Sequence, residues 1–191
     1  MKIAILGWGS LLWDKRPEFD EQHEDWQPDG PFLKIEFSRV SKTRNDALTL
    51  VLDAKNGTSC QVAYALSKRK KPDDAICDLR SREGTILKNI GYYFADDSRK
   101  QSHEEENLKS IQGWAIEKKI DVVAWADLES NFQEKSKCNK PFSVENALNH
   151  IQALNSEGKA KAAEYVWRAP AFVNTPLRMA LESQPWFREC G

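Results

Sequence analysis

The N-terminal segment places an apolar run directly before a glycine-rich turn, and this feature restricts the possible folds more than any other. Residues 3–6 read Ile-Ala-Ile-Leu, and Gly7-Trp8-Gly9-Ser10 follow at once. Four consecutive apolar residues, two of them β-branched, predict a short strand that is buried on both faces. Glycines after such a strand let the backbone approach a ligand, and its N–H groups are suited to bind an anion or a carbonyl oxygen. The sequence therefore predicts a buried first strand that ends in a functional loop.

Two simpler interpretations of this loop also remain open. Gly7-Trp8-Gly9 matches the start of the dinucleotide-binding fingerprint G-x-G-x-x-G, but Leu12 occupies the third glycine position. Pro17 also interrupts the crossover helix that a βαβ unit needs. The other interpretation is a glycine turn that follows a core strand and binds nothing.

Length, composition and charge predict one globular domain over residues 1–191. The chain has 40% hydrophobic and 30% charged residues, which is enough for a substantial core. Its 28 basic and 29 acidic residues give a net charge of −1, so composition favours neither a nucleic-acid nor a membrane partner and predicts a small molecule or a protein. Residues 1–25 lack the pattern of a signal peptide, and no run approaches the roughly 20 apolar residues of a membrane span. We therefore expect a cytoplasmic protein.

The cysteines and histidines do not show the spacing of a metal centre. No C-x-x-C pair occurs, and no histidine lies close in sequence to a group of cysteines. We expect reduced structural thiols, no metal and no Cys–His nucleophilic pair. The residues concerned are Cys60, Cys77, Cys138, Cys190, His23, His103 and His150.

The remaining chain mixes strand and helix patterns, which predicts an α+β fold. Ser143 is a good N-cap for an amphipathic helix, and Gly158 stands where a C′ glycine is expected. Residues 14–30 and 131–141 are polar and predict surface loops. The sequence predicts three strands that form one antiparallel meander, over 32–38, 47–52 and 60–66, and a further strand over 121–126. It also predicts an extended segment over 85–94. Helices are predicted over 72–84, 98–119, 143–158, 159–168 and after 174.

A glutamate at the end of a predicted helix is the best candidate for a reactive side chain. Glu83 lies directly before Gly84, where the helix over residues 72–84 is expected to end. The helix dipole disfavours a carboxylate at this end, and that cost hints at a role beyond local stability. A solvent-exposed carboxylate without function is the alternative.

Two elements together resemble the gamma-glutamylcyclotransferase-like superfamily. The run Trp8-Gly9-Ser10-Leu11-Leu12 resembles the Tyr-Gly-Ser-Asn/Leu-Leu loop that follows the first strand in that family. The family's catalytic glutamate commonly lies in an x-Glu-Gly element after the strand meander, and Glu83 matches that element in local sequence and in chain order.

Two further segments look like elements of bacterial members of the family. They are Phe37-Ser38-Arg39 and Asn174-Thr175-Pro176-Leu177-Arg178, and with the loop and Glu83 they extend the resemblance over residues 3–178. The resemblance implies a compact α+β fold with a small mixed β-barrel and helices packed outside. It also implies a cavity that has the glycine loop as its floor and the glutamate on its wall.

The resemblance further implies an enzyme that cyclises a γ-glutamyl compound to 5-oxoproline, releases an amine and needs no cofactor. Glu83 would act as acid and base, and Trp8, Gly9, Ser10 and Leu11 would bind the substrate. Trp8 replaces the usual family tyrosine, so its ring can donate a hydrogen bond but not accept one. A second tyrosine usually follows the glutamate, and either Tyr92 or Tyr93 is expected to take this place.

A non-catalytic binding or regulatory protein on the same fold is the alternative. It would keep the anion-binding loop without turnover, and it would tolerate the loss of Glu83.

Overall fold

The computed structural model describes residues 1–96 and 98–188 and shows an α+β fold with two β-sheets and several helices. The apolar runs identified above form most of the strands because their side chains are buried on one or both faces. The strands are β1 (Ile3–Gly7), β2 (Phe32–Ser41), β3 (Ala47–Leu52), β4 (Thr58–Gln61), β5 (Ala63–Leu66), β6 (Ile90–Phe94), β7 (Lys100–Gln101) and β8 (Val122–Ala126).

The helices differ widely in length, and α6 begins at the N-cap that the sequence predicts. Ser143 accepts a hydrogen bond from the Asn146 N–H at 3.1 Å, which confirms the predicted N-cap. The helices are α1 (Ser10–Trp13), α2 (Pro17–Asp20), α3 (Pro72–Glu83), α4 (Glu105–Lys118), α5 (Phe132–Lys135), α6 (Val144–Gln152), α7 (Ser156–Arg168), α8 (Pro176–Glu182) and α9 (Pro185–Arg188).

The chain divides into two compact units, and the first holds the larger sheet. This unit comprises Met1–Leu33 and Gln61–Leu128. Its five strands follow the order β5-β1-β8-β6-β7, in which β1 pairs parallel with β8 and antiparallel with β5. All five residues of β1 are buried, as the apolar run predicts.

The second unit comprises Lys34–Cys60 and Glu129–Gly191, and the structure describes it up to residue 188. Strand β2 lies between β3 and β4, and β2 and β3 form the predicted antiparallel pair. Helix α7 packs on β3, and the rings of Phe37 and Tyr165 meet edge to face.

The expected barrel and the expected three-stranded meander are both wrong. The strands that the structure describes form two sheets and not a closed barrel. The segment over residues 60–66 is divided because Val62 leaves the strand and bonds to the chain before β2. Its N–H donates to the Pro31 carbonyl, and its own carbonyl accepts from the Gly30 N–H, both at 3.0 Å. Strand β4 therefore joins β2, whereas β5 joins β1.

Three local expectations also change. Helix α4 begins at Glu105 and not near 98, because Lys100–Gln101 pairs with β6 as β7. The predicted loop over 131–141 contains the short helix α5. Gly158 lies inside α7, where an added Cβ would come within 2.7 Å of the Asn45 carbonyl oxygen. This glycine therefore permits close packing and does not end α6.

Candidate functional site

Both glycines of the loop after β1 are required by geometry, for different reasons. An added Cβ at Gly7 would lie 2.5 Å from the Trp26 ring, so this position is closed by packing. Gly9 has φ 61° and ψ −139°, a backbone conformation that residues with side chains rarely adopt. The sharp turn at Gly9 is therefore encoded by the glycine itself.

The loop continues into a single helical turn, α1. The Asp14 N–H donates to the Ser10 carbonyl at 2.8 Å, and the Leu12 N–H donates to the Gly9 carbonyl at 3.1 Å. A dinucleotide-binding unit needs a long crossover helix and a parallel strand directly after β1. Instead, α2 begins at Pro17, and the parallel neighbour of β1 is the distant strand β8. This geometry contradicts the dinucleotide interpretation.

The side chains on either side of Ser10 are largely buried. Trp8 and Leu11 are each 6% exposed, whereas Ser10 is half-buried. Leu11 packs into an apolar cluster of the first unit, so its side chain anchors the loop to the core of that unit. Their predicted roles in substrate binding stay predictions.

Helix α3 has the ends that the sequence predicts. Pro72 occupies its first turn with Asp73 and Asp74, where the helix dipole favours negative charge. Gly84 ends the helix in the left-handed conformation, with φ 59°. Glu83 is therefore the last helical residue.

Glu83 lies on the helical face that is turned toward the core of the first unit. It follows the buried residues Ile76 and Leu79 at spacings of seven and four, which brings all three onto one side of α3. Ile76 and Leu79 belong to the same apolar cluster as Leu11 of the loop. Helix α3 and the glycine loop therefore pack on the same cluster through Leu79 and Leu11, and Glu83 is half-buried.

Arg82 bonds directly to the glycine loop, although it was not among the site residues predicted from the sequence. Its Nη2 donates to the carbonyls of Ser10 at 3.2 Å and of Asp14 at 2.7 Å. The arginine side chain is only 5% exposed. The only sequence signal for this role is its position beside Glu83.

The structure distinguishes the two tyrosines of β6. Successive residues of a strand point to opposite faces of the sheet. Tyr92 packs against the cluster that contains Leu11 and Leu79, whereas Tyr93 is buried and follows it in the strand. Tyr92 therefore packs on the cluster that contains Leu11, and the expected role of either tyrosine in substrate binding stays a prediction.

A pocket of about 280 Å³ opens beside the end of α3. Asp78, Ser81 and Arg82 contribute to it from one face of that helix. The whole lining consists of Arg16, Glu18, Phe19, Asp78, Ser81 and Arg82. It carries charges of both signs, so it is chemically suited to a polar ligand.

The second unit contains a buried carboxyl group that the sequence analysis did not select. Glu36 is fully buried, and its Oε1 accepts a hydrogen bond from the Phe37 N–H at 2.7 Å. Burial raises the pKa of Glu36 from its ordinary value of 4.5 to about 7, although the Thr175 hydroxyl and the N–H groups of Phe37 and Leu177 favour the charged form. Two of the segments that carry the family resemblance therefore meet at this group.

A histidine and a buried aspartate also meet in the first unit. His103 Nδ1 lies 2.8 Å from Asp127 Oδ1, and the same oxygen accepts a hydrogen bond from the Trp125 indole at 2.9 Å. This pair was not predicted from the sequence, because residues 103 and 127 are 24 positions apart and are brought together only by the fold. Such a pair can orient an imidazole.

Within the described ranges, 1–96 and 98–188, no group of three or more His, Cys, Asp or Glu side chains has the arrangement of a metal site. Cys60, Cys77 and Cys138 are free thiols, and Cys190 lies outside the described residues.

None of the helices in the described part of the chain has the length and apolar character needed to cross a membrane.

Comparison with known proteins adds no relative. The sequence matches no protein-family model, and a search of curated proteins returns no significant match. The resemblance to the gamma-glutamylcyclotransferase-like superfamily therefore stays a prediction based on the motifs and their order along the chain.

Proposed function

We propose that this protein is a gamma-glutamylcyclotransferase-like enzyme. It cyclises a γ-glutamyl compound to 5-oxoproline and releases an amine, with Glu83 as the acid and base. A gamma-glutamylcyclotransferase-like fold, a cytoplasmic location, independence of cofactors and the absence of a nucleic-acid partner belong to the same proposal.

The main support is the common packing of the loop and the glutamate helix. Leu11 of the loop and Leu79 of α3 belong to one apolar cluster, and Glu83 lies on the helical face of Leu79. Leu11 and Leu79 are 68 positions apart in the sequence, and their common packing supports a shared site for the loop and Glu83. Tyr92 packs on the same cluster and is a candidate for a further substrate contact.

The proposed reaction needs only proton transfer and a bent substrate, because the nucleophile and the electrophile belong to one molecule. Glu83 accepts a proton from the substrate α-ammonium, and the resulting amine attacks the γ-carbonyl carbon to form a new C–N bond. Backbone N–H groups of Gly9, Ser10 and Leu11 stabilise the oxyanion of the tetrahedral intermediate. Glu83 then gives its proton to the nitrogen of the leaving amine as the bond to that amine breaks. The carboxylate takes the second proton from the ring nitrogen, which leaves 5-oxoproline and the free amine.

The proposal is tested by incubating the protein with a panel of γ-glutamyl amides, γ-glutamyl dipeptides and glutathione. We expect 5-oxoproline and the free amine in equal amounts, measured by mass spectrometry. If no compound is turned over but some of them raise the unfolding temperature, the non-catalytic binding protein is the better description. If neither effect occurs with any member of the panel, the proposed substrate class is wrong.

Glu83→Gln is expected to lower turnover by roughly 10²–10⁴-fold, the usual effect of removing an acid–base group. Glutamine has nearly the same shape but cannot carry the proton, so the fold and ligand binding should be preserved. Ser10→Ala should have a smaller effect, because the proposed donors are backbone N–H groups. The measurement is the initial rate on the best substrate of the panel.

The matched control is Glu117→Gln, which removes an exposed carboxylate from α4. It should leave the rate unchanged. Equal turnover by Glu83→Gln and the wild-type protein would remove Glu83 from the mechanism.

A further inference from the structure

Arg82 connects the end of α3 to the loop that follows β1. We propose that it is a positioning residue, which holds the glycine loop against the helix and keeps Glu83 in a fixed position relative to the loop. The role assigned to Glu83 rests on the proposed function, whereas the connection itself rests on geometry alone.

The guanidinium contacts both ends of the single helical turn α1. Nη2 donates to the carbonyl of Ser10, the first residue of that turn, and to the carbonyl of Asp14, which ends it. The Asp14 carboxylate lies 3.7 Å from the same nitrogen. One helical turn is not stable by itself, because too few hydrogen bonds offset the loss of backbone freedom. Arg82 therefore acts as a clamp, which adds hydrogen bonds at both ends of α1 to the packing of Leu11 in its middle.

The arrangement is not the one that stability alone would favour. The Arg82 side chain is 5% exposed, and its Nε is buried without a hydrogen-bond partner among the residues that the structure describes. A buried donor without an acceptor is unfavourable, and an apolar side chain at this position would avoid that cost. The planar guanidinium reaches two carbonyls from one nitrogen in a fixed direction, which the shorter and more mobile lysine side chain does not reproduce.

Arg82 directly precedes Glu83 within the regular part of α3. The helical backbone between them is stiff, so a shift at Arg82 is transmitted to the glutamate. The middle of the same helix is held by another arginine. Arg69 binds Asp78 through two hydrogen bonds of 2.7 and 3.0 Å. Arg69 therefore offers a matched control, since its loss removes the guanidinium that binds Asp78 of α3 without removing a bond to the loop.

The first measurement is hydrogen exchange of the Leu12 and Asp14 amides, which bond to carbonyls of Gly9 and Ser10. In Arg82→Met we expect these two amides to exchange about 10-fold faster, in proportion to the loss of charge-assisted hydrogen bonds. Arg69→Met should leave them unchanged. Unchanged exchange in Arg82→Met would overturn the clamp, and equal acceleration in both variants would show a general loosening of α3 and overturn it as well.

The second measurement is turnover on the substrate identified by the panel. We expect Arg82→Met to lower kcat more than it changes KM, and Arg82→Lys to recover only part of the loss. In Arg82→Ala, added ethylguanidine should restore both amide protection and rate, whereas added ethylamine should not. Faster exchange with unchanged kcat would overturn the role in positioning Glu83. If the wild-type protein turns over no substrate, the proposed function fails, and exchange and its rescue by ethylguanidine still decide the clamp.

If Arg82→Met does not fold, Arg82→Lys takes its place in the exchange measurement. The expected effect is then smaller and in the same direction, and protection equal to that of the wild-type protein would overturn the clamp.

Discussion

Gly9 has a backbone conformation that requires glycine. Its φ of 61° and ψ of −139° belong to a region that is nearly restricted to glycine. Gly7, two positions earlier, is restricted by the Trp26 ring and not by its backbone. The two glycines of one motif are therefore required for different physical reasons, which the motif alone does not reveal.

Gly9→Val is expected to lower the free energy of unfolding by about 1–3 kcal/mol, the usual cost of a strained backbone conformation. It should also abolish binding of γ-glutamyl ligands, because the turn can no longer present its N–H groups. Urea denaturation and thermal shift with the substrate panel measure the two effects.

Gly113→Ala is the control for this substitution. Gly113 lies within α4, and an added Cβ there meets nothing within 4 Å. Alanine should raise stability by roughly 0.5–1 kcal/mol through helix propensity. A Gly9→Val protein as stable as the wild type would show that the turn relaxes without cost.

Secondary-structure elements in this chain are ended by signals that lie within a few residues of their ends. Pro72 and Gly84 bound α3, and side chains of Ser143, Asn155 and Thr175 cap α6, α7 and α8. These caps satisfy N–H groups that have no acceptor inside the helix. The predicted start of α6 is accurate at the Ser143 cap, whereas the Asn155 cap begins α7 at Ser156, inside the helix that was predicted over 143–158.

Ser143→Ala should lower the free energy of unfolding by about 1 kcal/mol, because the Asn146 N–H loses its acceptor. Ser143→Asp should retain most of the stability, since aspartate is an equally good N-cap. Denaturant unfolding monitored by circular dichroism measures both. Ser110→Ala, on an exposed position of α4, should change stability by less than about 0.5 kcal/mol. An equal effect of the two alanine substitutions would contradict the capping role.

The stability of the whole molecule should depend on pH through Glu36. Its pKa is about 7 in the folded protein, against an ordinary value of 4.5. Below pH 4.5 the carboxyl is protonated in both the folded and the unfolded state, so it does not make the free energy of unfolding depend on pH. As the pH rises from 4.5 through 7, the unfolded chain releases the proton first, so stability falls. A pKa shift of this size lowers the free energy of unfolding by roughly 3 kcal/mol above pH 7.

Glu36→Gln should therefore remove this fall in stability between pH 5 and pH 8. The measurement is the free energy of unfolding in urea at both pH values, for the variant and the wild-type protein. The control is Glu117→Gln, which changes an exposed carboxylate and should keep the pH dependence of the wild type. A wild-type protein whose stability rises over this range, or a Glu36→Gln variant with the same fall, would contradict the assignment.

Much of the local structure was predictable from the sequence. The apolar run over residues 3–6 forms β1, the pattern over 72–84 forms α3, and β2 and β3 pair as expected. Glu83 was found at a helix end, and Gly9 at a turn. Each of these features depends on residues a few positions apart, whose spacing and conformational preferences can be read directly.

The tertiary structure decided which distant groups meet. Val62 divides one apolar segment between two sheets through bonds to Gly30 and Pro31, so no barrel closes. A shift in the pairing of β2 and β3 after Glu36 interrupts the regular alternation, and Glu36 is buried although a half-exposed strand would place it in solvent. Arg82 reaches carbonyls about 70 residues away. Hydrogen-bond partners and burial of this kind depend on contacts between segments, and residues close in sequence carry no information about them.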